Sequence, residues 1–266
     1  MPLPSLTFYT HPQSRGRIVR WMLEEMGVPH ETVLLDYGTS MKAPEYRAIN
    51  PMGKVPAIRH GDVIVTEAAA ICAYLADAFP DAGLAPAPGS PQRGPYYRWM
   101  FFVAGPLEAA ASNHALGFIV PPGRERMMGY GSYAEVLDAL ESVTKQAAPY
   151  LLGEEFSAAD VYVGSHLAFG MQFGTIEQRH AFRSYCETLD ARPARQRARQ
   201  IDDALDDALV AAATLPWDED ALQRLEKMPS FFRNMAKAKI EKAAKEAGES
   251  KVTVAFLDAN KGKLMG

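Results

Sequence analysis

The sequence predicts an α/β domain of about eighty residues, then an all-helical domain, then a small helical tail. Short aromatic and β-branched runs alternate with helical patterns only as far as about residue 80. A stretch dense in proline and glycine follows at 80–95 and is typical of a linker. No strand pattern occurs in the long segment between this linker and the tail.

The composition is that of an ordinary globular protein. The 266 residues are 48% hydrophobic and 23% charged, which suits one large or two modest domains. A net charge of −4 provides no general attraction to nucleic acid. No apolar run is long enough to predict a membrane span, and the first ten residues lack the pattern of a secretory signal. The two cysteines, Cys72 and Cys186, lie outside any Cys-x-x-Cys pattern. We therefore expect no cysteine metal site and a reducing, cytoplasmic location.

The first domain is predicted in the order β-α-β-α-β-β-α. Residues 5–10 (SLTFYT) are aromatic and β-branched, which predicts the first strand. Residues 14–27 carry apolar side chains at helical spacing, and Gly27 with Pro29 ends that helix. The remaining elements are a strand at 31–36, a short polar helix or turn at 42–50, a hairpin of 55–58 with 63–65, and a helix at 66–79.

The second domain is predicted to contain only helices. Its first helix, 96–118, is long, and the pair Gly105-Pro106 predicts a bend because proline breaks the helical hydrogen-bond pattern. Further helices are predicted at 132–152 and 158–172, with two more before about residue 210. Residues 209–217 mark a second boundary.

Four stretches carry a family pattern in a specific order and spacing: TFYTHPQSRGRIVRWMLEEMGVPHE (7–31), AINPMGKVPAI (48–58), TEAAAICAYLADAFP (66–80) and LLGEEFSAADVYVG (151–164). Together they resemble the glutathione S-transferase family, over roughly residues 5–205. The resemblance implies that residues 1–82 form a thioredoxin-like, glutathione-binding N-terminal domain. It further implies that 83–95 are a linker and that 96–210 form the all-α C-terminal bundle of the family.

The resemblance implies a glutathione site around the stretch NPMGKVPAI (50–58). The family has a cis proline at the position of Pro56, which would turn the main chain of Val55 toward the cysteinyl part of glutathione. The alternative is a proline that simply starts a strand. Lys54 is a candidate partner for the glycine-end carboxylate of glutathione, or else a solvated loop lysine.

The start of the 66–79 helix is implied to bind the other end of the tripeptide. Family members have Glu-Ser there: the acid meets the amino group, and the serine with helix N–H groups meets the α-carboxylate. Glu67 is present, but Ala68 replaces the serine. The missing hydrogen bond corresponds to about 0.5–1.5 kcal/mol, which helix N–H groups or Thr66 could supply. Glu67 could also serve only to compensate the helix dipole.

Glutathione chemistry requires a thiolate, and the family places a Tyr, Ser or Cys after the first strand to stabilise it. Lowering a thiol pKa by two units requires about 2.7 kcal/mol. Ser14 is the candidate here because it lies where the loop becomes the helix, and Tyr9 and Thr10 are alternates. Ser14 could instead be an ordinary N-cap, worth about 1 kcal/mol to the helix. The loop has no cysteine, which argues against the disulfide-exchanging branch of the family.

The helical domain is implied to supply the pocket for an electrophile. The helix 96–118 borders the cleft in the family, and its candidate side chains are Tyr97, Phe101, Phe102 and His114. Aromatic residues at this spacing are also common in plain cores. The pattern Ser157-x-x-Asp160 predicts a capping box, so we expect a structural role for Asp160.

The tail, 217–266, carries the signature W-x-x-x-A, then K-x-P-x-F-x-R, then I-E-x-x-A and G. It resembles the small C-terminal helical domain of a subunit of light-independent protochlorophyllide reductase. Pro229 suits a first helical position and Gly248 a position just after a helix. One apolar face is predicted from Phe232, Ala236, Ile240, Ala243, Ala244 and Ala247. The tail has no Cys or His, so no metal or haem ligation is predicted, and docking of a protein partner is the hypothesis for its role.

These expectations combine into a cytoplasmic, homodimeric glutathione transferase of the detoxification type, with glutathione as co-substrate and no metal. It would conjugate glutathione to a small electrophile, or reduce the electrophile with it. The alternative is a non-catalytic binding protein of the same fold that uses the tail to dock a partner. Ala68 favours the alternative, because one family ligand to glutathione is missing.

Overall fold

A computed structural model describes residues 5–212, 215–228, 230–260 and 262. The chain divides into two compact units, one up to Gln200 and one from Ile201 onward. Pro229, which was predicted at a first helical position, lies outside the described residues, as does the side chain of Phe232. Across the described part of the chain, no helix has the length and apolar character needed to span a membrane.

A four-stranded sheet forms the centre of the N-terminal domain. Its strands are β1 (Leu6–Thr10), β2 (Glu31–Leu34), β3 (Ala57–His60) and β4 (Val63–Thr66), in the order β2-β1-β3-β4. β2 is parallel to β1, whereas β3 is antiparallel to both β1 and β4. Three helices, α1 (Gly16–Met26), α2 (Pro44–Arg47) and α3 (Ala68–Ala78), complete the predicted βαβαββα order.

The two faces of the sheet pack against different helices, because successive strand side chains point to opposite faces. Phe8 belongs to the large core cluster that includes the apolar side chains of α1 and α3. Its neighbour Tyr9 belongs to a separate cluster around Tyr46 of α2. This layering confirms the thioredoxin-like fold predicted for the N-terminal domain.

Six helices follow the linker: α4 (Arg93–Phe102), α5 (Glu108–Ala115), α6 (Tyr133–Gln146), α7 (Ala158–Gln172), α8 (His180–Asp190) and α9 (Pro193–Ala212). The predicted bend between α4 and α5 is a π-helical turn, Val103–Leu107, with Pro106 inside it. The helix predicted at 132–152 ends at Gln146, because Pro149 cannot continue a helix and disfavours helical geometry in the residue before it. Ser157 and Asp160 form the predicted capping box at the start of α7.

The N-terminal domain and the bundle share one hydrophobic core within the first unit. Ion pairs reinforce the contact: Arg192 Nε lies 2.7 Å from Oε1 of Glu25, whose side chain is 7% exposed. Glu25 also accepts a hydrogen bond from Trp21 Nε1 at 2.8 Å. The buried carboxylate therefore ties α1 to the chain segment between α8 and α9.

The second unit contains a small core of its own. Its helices α10 (Glu219–Glu226), α11 (Ser230–Glu246) and α12 (Val254–Ala259) follow the end of α9. The buried cluster is Ile240, Ala244, Val252 and Phe256. Trp217 donates from Nε1 to Oε1 of the fully buried Glu241 at 2.6 Å. Gly248 has φ 75°, the left-handed conformation expected of a residue just after a helix.

Candidate functional site

The predicted glutathione ligands meet at one edge of the sheet because of the strand directions. Tyr9 in β1 pairs with Ala57, the first residue of β3, and Ala57 pairs with Thr66, the last residue of β4. The end of β1, the start of β3 and the end of β4 therefore lie side by side. The loop after β1, the segment before β3 and the start of α3 converge at this edge.

The main chain of Val55 is available for a ligand. The Val55–Pro56 peptide bond is cis, as the resemblance implied, and β3 begins only at Ala57. Among the described residues, neither the N–H nor the C=O of Val55 has a hydrogen-bond partner. The preceding carbonyl, of Lys54, accepts from Tyr46 Oη at 2.7 Å and from Asn50 Nδ2 at 2.8 Å. The segment is thus fixed through the Lys54 carbonyl, whereas the main-chain N–H and C=O of Val55 are available to a ligand.

The turn before Val55 requires glycine. Gly53 has φ 56°, and a Cβ at this position would lie 2.5 Å from the carbonyl oxygen of Met41. Lys42 Nζ donates to the carbonyls of Gly53 at 2.6 Å and Met52 at 3.2 Å, so it holds the turn from outside. The side chain of Lys54 is exposed, and no partner for it occurs in the described part of the chain. Its ammonium group can therefore meet a ligand carboxylate.

Glu67 is held in a strained conformation directly before α3. Its φ of 66° and ψ of 119° make it the one non-glycine residue with positive φ among those the structure describes. Such a conformation costs about 1–3 kcal/mol and is concentrated at functional sites. The Glu67 side chain is exposed, and α3 begins at Ala68 without a side-chain cap. The first N–H groups of α3 are therefore open to an anion.

The Ser14 hydroxyl stabilises the turn that begins α1. It donates to the carbonyl of His11 at 2.7 Å and accepts from the N–H of Gly16 at 2.9 Å. Burial raises the pKa of the nearby Tyr37, and a hydrogen bond with Ser14 partly offsets this effect. Arg15, not Ser14, occupies the N-cap position of α1, and it makes no side-chain cap hydrogen bond. The Ser14 hydroxyl stabilises the preceding turn instead, and its proton would have to leave the His11 carbonyl in order to reach a thiolate.

The two alternate hydroxyl residues differ from Ser14 in where they lie. The Thr10 hydroxyl is fully buried and has no hydrogen-bond partner in the described part of the chain, and a Cβ on Gly16 would lie 1.9 Å from its oxygen. It therefore lies directly beneath the first turn of α1. Tyr9 points to the other face of the sheet, with its ring centroid 5.6 Å from that of Tyr46. Ser14 alone of the three is half-buried on the side where α1 begins.

A cavity of about 310 Å³ lies between Arg15, in the loop before α1, and the helical bundle. An ion pair forms part of its wall: Nη2 of Arg15 lies 2.7 Å from Oε1 and 2.6 Å from Oε2 of Glu108 in α5. The apolar lining includes Leu107, Ala111, Leu116, Phe169 and Ile176. Arg15, which lines the cavity, is the residue that follows the candidate Ser14 in the chain.

His166 of α7 is a further polar residue of the cavity wall. Its side chain is 8% exposed, and its Nε2 atom has no hydrogen-bond partner among the described residues. Burial lowers its pKa to about 4, and nearby Arg15 acts in the same direction. The neutral imidazole therefore prevails at physiological pH. Sequence reasoning passed over His166 because a histidine in an apolar helix usually indicates only a core position.

The structure does not bring the four predicted electrophile-pocket residues together. Tyr97 and Phe101 are neighbours on the outer face of α4, where Phe101 is 70% exposed. Phe102 packs edge-on against Trp99, with ring centroids 5.4 Å apart. His114 stacks on Tyr133 in a different cavity, of about 540 Å³. None of these four residues lines the cavity that contains Arg15 and Glu108. Helical spacing alone could not show which side of α4 and α5 faces the N-terminal domain.

Tyr37 and Lys42 were also not predicted. Both lie in the loop after β2, where the sequence shows no periodicity. Their roles follow from tertiary contacts with Ser14 and with the Gly53 turn. No signal in the sequence could have identified them.

Comparisons with known proteins agree with this architecture. Residues 14–78 match the family model described as "Glutathione S-transferase, N-terminal domain". Residues 217–261 match that described as "Proto-chlorophyllide reductase 57 kD subunit", so the predicted resemblance of the tail is confirmed.

Curated relatives and solved structures extend the match beyond the N-terminal domain. "Glutathione S-transferase 3" of Zea mays is 28% identical over 205 residues, which cover 72% of this chain and 92% of that protein. The glutathione transferase URE2P6 from Phanerochaete chrysosporium, solved with oxidized glutathione, superposes with a TM-score of 0.62 at 28% identity, covering 76% of this chain and 98% of that one. A homologue from sulfitobacter with bound glutathione gives a TM-score of 0.57 at 26% identity, covering 75% and 99%.

Proposed function

Because residues 14–78 match the glutathione S-transferase N-terminal domain on a chain with the fold of that family, we propose that this protein binds glutathione. It activates the thiol of glutathione for conjugation to, or reduction of, a small electrophile. The observation that carries the proposal is the unpaired main chain of Val55 at the sheet edge. An extended cysteinyl residue can exchange both of its peptide hydrogen bonds with that position.

The two ends of glutathione have complementary charges at either side of Val55. The γ-glutamyl amino group meets the exposed carboxylate of Glu67, and its α-carboxylate meets the open N–H groups of α3. The glycine carboxylate meets the ammonium group of Lys54. Ala68 supplies only its main-chain N–H, so this end is held by one hydrogen bond fewer than in family members with serine.

Ser14 is proposed to stabilise the thiolate. Rotation of its hydroxyl away from the His11 carbonyl would direct the proton at the sulfur, while the first turn of α1 contributes its positive dipole end. A thiolate formed there faces the cavity lined by Arg15 and α5. That cavity, rather than Tyr97, Phe101, Phe102 and His114, is proposed as the electrophile pocket.

The first test is turnover of a generic electrophile with glutathione. Ser14→Ala should lower kcat/KM by about tenfold or more, since about 1.4 kcal/mol of transition-state stabilisation is lost. Thr10→Val is the matched control, because it removes a hydroxyl that is buried and unpartnered, and its rate should stay within about twofold of wild type. An unchanged rate in Ser14→Ala would transfer the role to Tyr9, Thr10 or a main-chain donor.

A non-catalytic binding protein of the same fold is the second candidate. The replacement of serine by Ala68 and the commitment of the Ser14 proton to His11 favour it. Retention on immobilised glutathione without turnover of any electrophile would support this candidate. Loss of retention in Glu67→Gln and Lys54→Met, with folding intact by circular dichroism, would show that the tripeptide occupies the proposed edge.

The proposal extends to assembly and location. Exposed apolar side chains on β4 (Val63 and Ile64) and on α4 (Tyr97 and Phe101) are suited to a homodimer interface. A cytoplasmic detoxification role fits the two buried free cysteines, which a reducing compartment would leave unpaired. The tail is proposed to dock a protein partner or to support the dimer.

A further inference from the structure

The chemistry of the proposed electrophile pocket is set by one imidazole. His166 lines the same cavity as Arg15 and is buried among largely apolar neighbours. Its ring lies against Tyr162, with ring centroids 4.4 Å apart and planes tilted by 60°. The ring orientation is therefore restricted, and each ring nitrogen has a defined environment.

Nδ1 of His166 lies 2.9 Å from the main-chain carbonyl oxygen of Tyr162. A carbonyl can only accept a hydrogen bond, so Nδ1 must carry the proton. In the neutral ring Nε2 then has a lone pair and acts as an acceptor. The tautomer follows from this contact.

Nε2 faces a second acceptor instead of a donor. Oε2 of Glu108 lies 3.9 Å away, which is beyond hydrogen-bonding distance, and that carboxylate already pairs with Arg15. A buried acceptor without a donor is unfavourable by about 1–3 kcal/mol. Both residues line the cavity. Nε2 itself is buried, whereas the neighbouring Glu108 side chain is 35% exposed, so a donor in the cavity reaches Nε2 when the Glu108 side chain moves aside.

We infer that the pocket selects an apolar, aryl-sized electrophile that carries a hydroxyl or N–H group, and that this donor hydrogen-bonds to Nε2 of His166. The inference rests on the proposed function for the identity of the pocket. The apolar walls bind the body of the substrate, and His166 determines which substituent is accepted. A substrate with an acceptor at this position would face two acceptors and be disfavoured.

The inference can be tested by binding alone, without glutathione turnover. 2-Naphthol and 2-methylnaphthalene have nearly the same shape and differ in one hydrogen-bond donor, and neither reacts with a thiol. Equilibrium dialysis against the full chain gives both dissociation constants. The selectivity is the Kd for 2-methylnaphthalene divided by that for 2-naphthol. His166→Phe keeps a planar aromatic ring, slightly larger than imidazole, and removes the acceptor, so we expect this selectivity to fall about tenfold.

The controls separate a local effect from a structural one. His180→Phe changes an exposed histidine outside the cavity and should leave the selectivity unchanged. His166→Gln restores a side-chain acceptor and should recover part of the preference for 2-naphthol. Binding of 2-methylnaphthalene to His166→Phe within about twofold of wild type would show that the pocket is intact.

Equal selectivity in wild type and His166→Phe would overturn the inference, since Nε2 would then not accept a hydrogen bond from the ligand. Failure of wild type to bind either naphthalene would also overturn it. Glutathione binding, measured separately by calorimetry, tests the proposed function. A chain that binds glutathione but shows no donor selectivity contradicts only the inference drawn here.

Discussion

Single side chains in this protein combine structural and chemical roles, and Ser14 is the clearest case. Its oxygen completes the turn from His11 to Gly16, so its removal affects both the start of α1 and any thiolate beside it. Gly16 is equally constrained, because a Cβ there would lie 1.9 Å from Thr10 Oγ1. The polypeptide around the proposed sulfur position is therefore closely packed before any ligand arrives.

His166 should make stability depend on pH. Its pKa is about 4 in the folded chain and about 6.5 when unfolded, so between these values the unfolded chain binds a proton that the folded chain does not. Stability therefore falls as the pH drops from 6.5 to 4, by up to about 3 kcal/mol. Below pH 4 both states are protonated and this contribution stops changing.

Urea unfolding of wild type and His166→Phe at several pH values measures the effect. The difference in unfolding free energy between the two should change across pH 4–6.5 and be constant above it. Charged neighbours such as Arg15 and Glu108 are present in both proteins, so their contributions largely cancel. A difference that is flat from pH 4 to 7 would contradict the low pKa.

At the scale of whole elements, α3 carries the departure from the family pattern. The helix begins at Ala68 without a side-chain cap, directly after the strained Glu67. Its first turn therefore offers main-chain N–H groups and a dipole, but no hydroxyl. The Glu67 side chain is exposed, so in the proposed site the carboxylate and the first N–H groups of α3 would both be available to a ligand.

Ala68→Ser should tighten glutathione binding. The added hydroxyl can donate to the α-carboxylate of the ligand, which is worth about 0.5–1.5 kcal/mol, or roughly a twofold to twelvefold lower Kd. Isothermal titration calorimetry measures it, with Ala70→Ser, an exposed position in the same helix, as the control. An unchanged Kd would mean that the carboxylate lies elsewhere.

Helices and strands were predictable where the spacing of apolar residues, or a proline or glycine at the end of the element, determined them. The first-domain order and the bend at Pro106 followed from such local signals. The convergence of Val55 and Glu67 at one edge of the sheet was predictable because these motif residues flank strands that pair. The proposed electrophile pocket could not be predicted, because it depends on which sides of α5 and α7 face Arg15. The orientation of these helices depends on packing between segments that are distant in the sequence.

At the scale of the whole molecule, two features bear on assembly and on the role of the tail. β4 and the outer face of α4 expose apolar side chains in the first unit, and the second unit has its own small core. A separate core is consistent with the tail acting as a docking module in its own right.

Phe101→Glu should convert a dimer to a monomer. Phe101 is 70% exposed, and a charge buried at a twofold interface would be repeated on both subunits. Size-exclusion chromatography with light scattering measures the mass. Met127→Glu places the same charge on a 71% exposed side chain of a loop beyond α5 and should leave the mass unchanged. A dimer that survives Phe101→Glu would place the interface on another face.

Removal of residues 217–266 tests the role of the tail. If the tail supports assembly or docking, the shortened chain should lose oligomer size, solubility or partner capture, while glutathione binding persists. A shortened chain identical to wild type in all three properties would refute a docking role. Loss of glutathione binding as well would indicate that the first unit depends on the tail.

The hydrogen bond from Trp217 to the buried Glu241 has a practical consequence. Of the three tryptophans in the chain, Trp21 and Trp99 are buried in the first unit. A Trp21→Phe, Trp99→Phe double variant would therefore carry a single fluorophore, located in the second unit. Its emission would move to longer wavelength when that unit alone melts, which provides an optical signal for the tail that is separate from the rest of the chain.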